Sequence, residues 1–190
     1  MSEVNGKRKN ATESLKYAME TTTKTIGSVN LHRIRATRSI PKWNVKKGDI
    51  GGWIETEKNL SQDGDAWVFG DAWVSGKARV FGDAQVSGNA RVSGDAWVFG
   101  NARVSGDAQV FGDAWVSGEA QVFGDAWVSG DAQVFGDAWV SGNAQVSGNA
   151  CVSGYAWVSE PWSYIEVTPG VEIWGPKRLQ GGKAKAGGVE

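Results

Sequence analysis

Few residues in this chain could do chemistry, and most of those recur on a fixed period. There is one histidine, His32, and one cysteine, Cys151. General acid–base catalysis and zinc coordination both lean on histidine, and a cysteine nucleophile needs an activating base beside it. His32 lies in a charged, alternating stretch with no second catalytic residue type clustered around it. Cys151 stands at a variable position of a repeat, eighteen residues after Gln133. His32 therefore reads as a surface or cap residue, and Cys151 as a substitution at an outward position. No Gly-Lys-Ser/Thr phosphate loop is present. The expectation is a protein with no enzymatic activity, no cofactor and no metal.

What remains for chemistry is aromatic and acidic. From Gly64 to Val158 the chain reads Gly-Asp/Asn-Ala-x-Val-Ser/Phe with little variation, and valine returns every six residues through sixteen units. The place before each valine holds Trp, Gln, Arg or, once, Cys. The place after it holds Ser or Phe, and all six Phe of the chain fall there. Large aromatics belong inside a fold, so a row of them at outward places marks an interaction surface. The acids fall at the turn positions, where Asp and Asn tolerate tight geometry.

These residues need an element that repeats with them. The phase fits the hexapeptide rule for a left-handed parallel β-helix, an all-β triangular solenoid. Valine points inward from each flat face, alanine fills the corner, and glycine makes the turn. Three hexads make one coil of eighteen residues, so residues eighteen apart stack at about 4.8 Å, the spacing of neighbouring strands. About twenty hexads give six to seven coils. Each buried valine contributes roughly 1.5–3 kcal/mol before chain entropy is subtracted.

Sorting the outward residues by face then assembles candidate sites. One face carries Arg79, Trp97, Trp115, Gln133 and Cys151 in one column, with Phe81, Phe99, Ser117, Phe135 and Ser153 beside it. Trp97 is expected to stack over Trp115, and Phe81 over Phe99. The candidate binding face is Arg79, Phe81, Trp97, Phe99, Trp115, Gln133 and Phe135. A second face pairs Trp139 with Trp157 and leaves Trp67 isolated; the third has Trp53 near Trp73, then Trp127. Against a purpose-built site stands a twelve-residue copying unit: Asp113–Gly124 and Asp125–Gly136 differ only at Glu119 and Asp131. Copying in twelves on a coil of eighteen spreads each residue type round all three faces. Stacked aromatics also stabilise a sheet by themselves, by about 0.2–1 kcal/mol per pair. One corner column holds Asp65, Asp83, Glu119 and Asp137, interrupted by Asn101. Such neighbours repel by roughly 1 kcal/mol in water, which a cation would relieve. Corner geometry alone accounts for the acids.

The expected boundaries are as follows. Residues 1–30 form a polar arm with a short helix over Thr12–Thr21 and a linker over Thr21–Asn30. Residues 31–53 form the N-terminal cap. Residues 54–176 are the β-helix, with regular hexads over 63–158 and a degenerate coil over 159–176, in which Val167 and Ile173 resume the phase. A flexible tail covers 177–190. The C-terminal cap is assigned to Trp162–Tyr164 with residues 175–180. Open solenoid ends expose unpaired backbone and need such caps. The net charge of −1 hides an asymmetry. Residues 1–50 carry eleven Lys/Arg against four Asp/Glu, while the repeat carries ten acids against Lys77, Arg79, Arg91 and Arg103. An acidic rod opposes nucleic-acid binding. No apolar run approaches the ~20 residues of a membrane span, and the N-terminus lacks a signal-peptide core, so a cytoplasmic location is expected.

The segments Leu31-His32-Arg33-Ile34-Arg35-Ala36, Lys47-Gly48-Asp49-Ile50-Gly51-Gly52-Trp53-Ile54-Glu55 and Asn59-Leu60-Ser61 resemble the front end of the YdcK-type hexapeptide-repeat proteins of bacteria and their phages and prophages. The Gly-Asp/Asn-Ala-x-Val repeat is similar to that family too, and the resemblance spans about residues 31–158. It implies the left-handed β-helix and no particular activity. The expected function is a non-enzymatic, phage- or prophage-associated binding or scaffold protein. Its aromatic ladders would serve self-association, as a dimer or trimer, or capture of a host protein. The alternatives are a small-molecule binder, of glycan or nucleotide, on the Trp/Gln/Arg columns, and an acyltransferase-like protein without a catalytic histidine.

Overall fold

The computed structural model describes residues 15–159 in full, together with the backbone of the strands Tyr164–Val167, Glu172–Ile173 and Arg178–Gln180. The chain winds into a parallel β-solenoid of about six coils whose strands stack into three sheets of nine, seven and six strands. Most coil strands are only two residues long, because each hexad supplies one inward valine and one outward neighbour before the next corner. Register follows the eighteen-residue coil: Trp97 pairs with Trp115, Val98 with Val116, and Gln121 with Trp139. Backbone bonds run between coils, as from the Trp97 N–H to the Ala114 carbonyl (2.9 Å) and from the Phe99 N–H to the Val116 carbonyl (3.0 Å). Every repeat alanine and valine from Ala66 to Val158 is buried, so the core is a prism filled by these two side chains. The corners hold their shape because glycine stacks on glycine. Gly106 has φ +70°, and a Cβ there would lie 2.9 Å from the backbone N and O of Gly124.

The N-terminal end departs from expectation. Strand β1 (Tyr17–Ile26) replaces the helix expected over Thr12–Thr21 and the linker over Thr21–Asn30; residues 12–14 lie outside the described part. It forms an antiparallel hairpin with β2 (Val29–Ala36) through the turn Gly27-Ser28, with Gly27 at φ +59°. The physical reason is composition. The thin apolar face gives a helix little to bury, whereas threonines at 21, 22, 23 and 25 suit an extended edge strand. The cap therefore takes in Lys16 and Tyr17 and does not begin at residue 31. A register shift between Met19 and Thr23 bulges β1, which makes a poor template for another strand.

Strand β3 (Ile50–Ile54) is the junction, antiparallel to β2 on one side and parallel to the first coil at Trp73–Val74 on the other. It crosses close over that coil because Gly51 and Gly52 have no side chains. A Cβ on Gly51 would lie 2.6 Å from Ile34 Cγ1, 2.7 Å from the Trp67 ring and 2.8 Å from the Val68 carbonyl. Tyr17, Ile34, Ile40, Ile54 and Leu60 close the end of the prism. A short 3-10 turn, Glu57–Asn59, follows. Its buried Asn59 accepts from the Thr56 N–H (2.7 Å) and donates to the carbonyls of Gly76 (3.0 Å) and Ala78 (2.9 Å). That one side chain ties the cap to the first full coil.

At the far end the phase shifts. Val146 pairs with Ile165, Val152 with Ile173, and Val158 with Leu179. Ile165, and not Val167, stands in register with the core valines; Val167 pairs with Gly148. Solenoid strands reach Gln180, so residues 178–180 belong to neither a tail nor a separate cap. Trp162 and residues 175–177 and 181–190 lie outside the described residues.

Candidate functional site

The three sheet surfaces differ in what lies over them. The loop after β2 runs down the seven-stranded sheet. Arg38 Nη1 lies 3.9 Å from Asp65, Lys42 Nζ is 2.8 Å from Asp83 and also donates to Asn101, and the Arg103 guanidinium lies 5.5 Å from the Trp43 ring. These are the cations that the corner column of acids calls for: the basic head lies on the acidic rod. The Lys42 hydrogen bond chiefly holds the Asp83 carboxyl below its ordinary range. The column continues through Asn101, whose amide donates to Glu119 (2.5 Å). Among the described residues no group of three or more His, Cys, Asp or Glu gathers where it could hold a metal ion.

Beneath this loop lie two buried polar groups. Lys16 is fully buried, with Nζ 3.4 Å from the Asp63 carbonyl. Burial, aided by the nearby Arg38 charge, pushes it down to about 8, although Asp65, Asp63 and Asp83 pull the other way. Tyr17 donates its hydroxyl to the Leu60 carbonyl (2.7 Å), with the Glu57 carbonyl at 3.1 Å. Burial, with the Glu57 charge second, raises its phenol well above the ordinary value. Tyr17 also meets Trp67 edge-on at 6.4 Å. Trp67 is therefore not the isolated outward residue expected; it is 1% exposed.

The six-stranded sheet carries the expected aromatic face. Trp97 and Trp115 stack with centroids 5.4 Å apart and planes 6° from parallel; Phe81 and Phe99 stack at 4.9 Å and 1°. The two stacks lock edge to face, Phe81 on Trp97 at 5.7 Å and Phe99 on Trp115 at 6.3 Å. Arg79 tops the column with its guanidinium 5.8 Å from the Trp97 ring. The reason is register: with strands at eighteen-residue steps, identical rings fall one strand spacing apart, which suits offset stacking. Trp115 is 44% exposed and Phe135 38%. Gln133 follows Trp115 in the column, and Cys151 follows Gln133. Phe135 shares the face but not the stack, because Ser117 interrupts the phenylalanine column. At the upper end a groove of about 360 Å³ is lined by Glu57, Lys58, Gln62, Arg79, Phe81 and Trp97. Its cap residues had no periodic signal to announce them.

The other aromatic pairs keep the expected register, Trp139 beside Trp157 and Trp53 beside Trp73, but they differ in geometry and burial. Trp139 and Trp157 meet at 5.8 Å with planes 61° apart, an edge contact and not a stack, and the Trp157 indole N–H donates to the Ser141 hydroxyl (3.3 Å). Trp53 is largely buried beneath the Arg33 guanidinium at 4.6 Å. His32 lies within the cap, its Nδ1 3.3 Å from the Glu20 carbonyl.

Among the described residues no helix is long and apolar enough to cross a membrane. The family model for the YdcK beta solenoid repeat matches residues 84–100, 102–119 and 144–160. Those segments hold Trp97, Phe99, Trp115 and Trp157. No curated protein matches the chain.

Proposed function

We propose that this chain, a YdcK-type β-solenoid repeat protein, is a non-enzymatic, cytoplasmic, phage- or prophage-associated scaffold that self-associates through the aromatic ladder of its six-stranded sheet. The observation that carries the reading is the double stack of Trp97 on Trp115 and Phe81 on Phe99, left at the surface. The cap extends the nine-stranded sheet and overlies the start of the seven-stranded one. The ladder on the third sheet has no such cover among the described residues. Contiguous surface rings of this kind, Trp115 exposed and Trp97, Phe81 and Phe99 half-buried, are what interfaces bury, and tryptophan and arginine dominate their energetics. The rings are locked against one another, so burying them costs little side-chain entropy. A flat face meeting its own copy about a two-fold axis gives a closed dimer, and a head-to-tail contact between two edges of that face gives a trimer where the rotation closes at three.

What supports a non-enzymatic reading is the use of the two reactive residue types. His32 serves the hairpin, and Cys151 continues an outward column after Gln133. Light scattering coupled to size exclusion tests the proposal. The wild-type chain is expected to run at a multiple of its 20.3 kDa mass, and the double variant Trp97→Ala, Trp115→Ala as a monomer. A monomeric wild-type chain, or an unchanged oligomer in the double variant, overturns self-association. The ladder's occupant would then be a host protein, for which a pull-down with the same variant is the control.

A further inference from the structure

The nine-stranded sheet has a second recognition feature, of different chemistry and independent of the ladder. Below the cap its outward column reads Trp73, Arg91, Gln109, Trp127 and Gln145 on successive coils. Trp73 is shared with Arg91, whose guanidinium lies 5.8 Å from the ring. Among the described residues Trp127 has no such cation over its ring. It stands 43% exposed, braced edge-on by Phe111 at 6.1 Å and 77°. The corner column beside it supplies Asp107, Asp125 and Asn143, which with Arg91, Gln109, Trp127 and Gln145 line a groove of about 420 Å³. That volume lies within the usual range of about 300–1,000 Å³ for small-ligand sites.

We propose that this groove binds a short neutral saccharide, with one pyranose ring stacked on Trp127. A pyranose has an apolar C–H face and an edge of hydroxyls that both donate and accept. The groove offers the complement. The Trp127 indole is flanked directly along the column by Gln109 and Gln145. The Asp125 carboxylate and the Asn143 amide lie at the corner. Among the described residues these four polar side chains have no side-chain hydrogen bond, whereas Asp107 already accepts from Asn89 (3.0 Å). Amides and carboxylates at this density can chelate vicinal hydroxyls. Charge separates sugar from nucleotide: one guanidinium, Arg91, faces the carboxylates of Asp107 and Asp125, so the groove is net acidic and repels phosphate. Length agrees as well. From Arg91 to Gln145 is three inter-strand steps, about 14 Å at the ordinary strand spacing, enough for two or three sugar rings.

Saturation-transfer NMR and calorimetry with maltotriose, cellotriose, chitotriose and AMP test the proposal. At least one trisaccharide is expected to receive saturation on its ring C–H protons while AMP receives none. Trp127→Ala is expected to abolish the signal. Gln109→Ala and Asp125→Ala, both surface changes that leave the core untouched, are each expected to weaken binding about tenfold. Trp97→Ala with Trp115→Ala is expected to leave sugar binding intact, so this result and the fate of the ladder reading stay separable. Silence from all three trisaccharides, survival of the signal in Trp127→Ala, or Trp127-dependent binding of AMP would each overturn it.

Discussion

The hexad Gly-Asp-Ala-Trp-Val-Phe occurs at Gly64–Phe69 and again, letter for letter, at Gly94–Phe99. The two copies make the same backbone bonds, the Trp67 N–H to Ala84 and the Trp97 N–H to Ala114, both at 2.9 Å. Their tryptophans nonetheless end in different places. Trp67 is sealed beneath Tyr17 and Gly51, while Trp97 lies at the surface against Trp115. The hexad determines what points inward. The fate of its outward residue depends on what the rest of the chain, or another molecule, lays over it. The cap shows how an outward tryptophan of this repeat becomes core, and the uncovered ladder presents the same surface without a cover.

Truncating each tryptophan is the strongest way to break this comparison. Trp67→Ala should cost about 3–5 kcal/mol, as for a fully buried aromatic, and Trp97→Ala below about 1.5 kcal/mol in dilute protein. Urea unfolding followed by circular dichroism measures both; equal losses would mean the cap does not distinguish the copies. Gly51→Ala comes next, at about 1–3 kcal/mol, because its methyl would press on Ile34 and the Val68 carbonyl. A neutral result would show that β3 can lift off the first coil.

Acidity sharpens the contrast, since Lys16 and Tyr17 belong to the cap alone. Folded Lys16 loses its proton at about pH 8 against 10.5 for an ordinary lysine. Between those values the unfolded chain holds more protons, so stability rises with pH. Tyr17 has the opposite sign. Its raised phenol keeps its proton in the folded chain above about pH 10, where the unfolded chain loses it, and stability then falls. Melting temperatures across pH 7–11 should therefore peak near pH 10, and Lys16→Met should flatten the rising limb. A flat wild-type profile would mean neither group is buried as described. The smallest effect is expected from Lys42→Ala. Its pair with Asp83 is 33% and 42% exposed, so the loss should stay below about 1 kcal/mol and shrink further in salt.

The coil interior was legible in the sequence because valine and alanine at a six-residue period leave one arrangement, and eighteen-residue sorting placed Trp97 on Trp115 correctly. The ends were not, because they break the period. Tyr17 gives no repeating signal, and its role depends on Leu60 and Trp67, more than forty residues away. Threonine-rich composition looked like a linker until β2 supplied a partner for β1. Past Val158, Ile165 and Val167 are both aliphatic, and only the pairing with Val146 tells which one keeps the register. The groove at Trp127 follows from the same eighteen-residue spacing, which sets the corner column of Asp107, Asp125 and Asn143 beside the outward one.

Hydroxyl-radical footprinting of the tryptophans, read by peptide mass spectrometry across a range of protein concentrations, tests the central claim most directly. Trp67 should be protected at every concentration and Trp127 reactive at every concentration. Trp97 and Trp115 should pass from reactive to protected as concentration rises. If Trp97 and Trp115 remain as reactive as Trp127 at the highest concentration, the ladder is not covered by a second copy of the chain, and the account is contradicted.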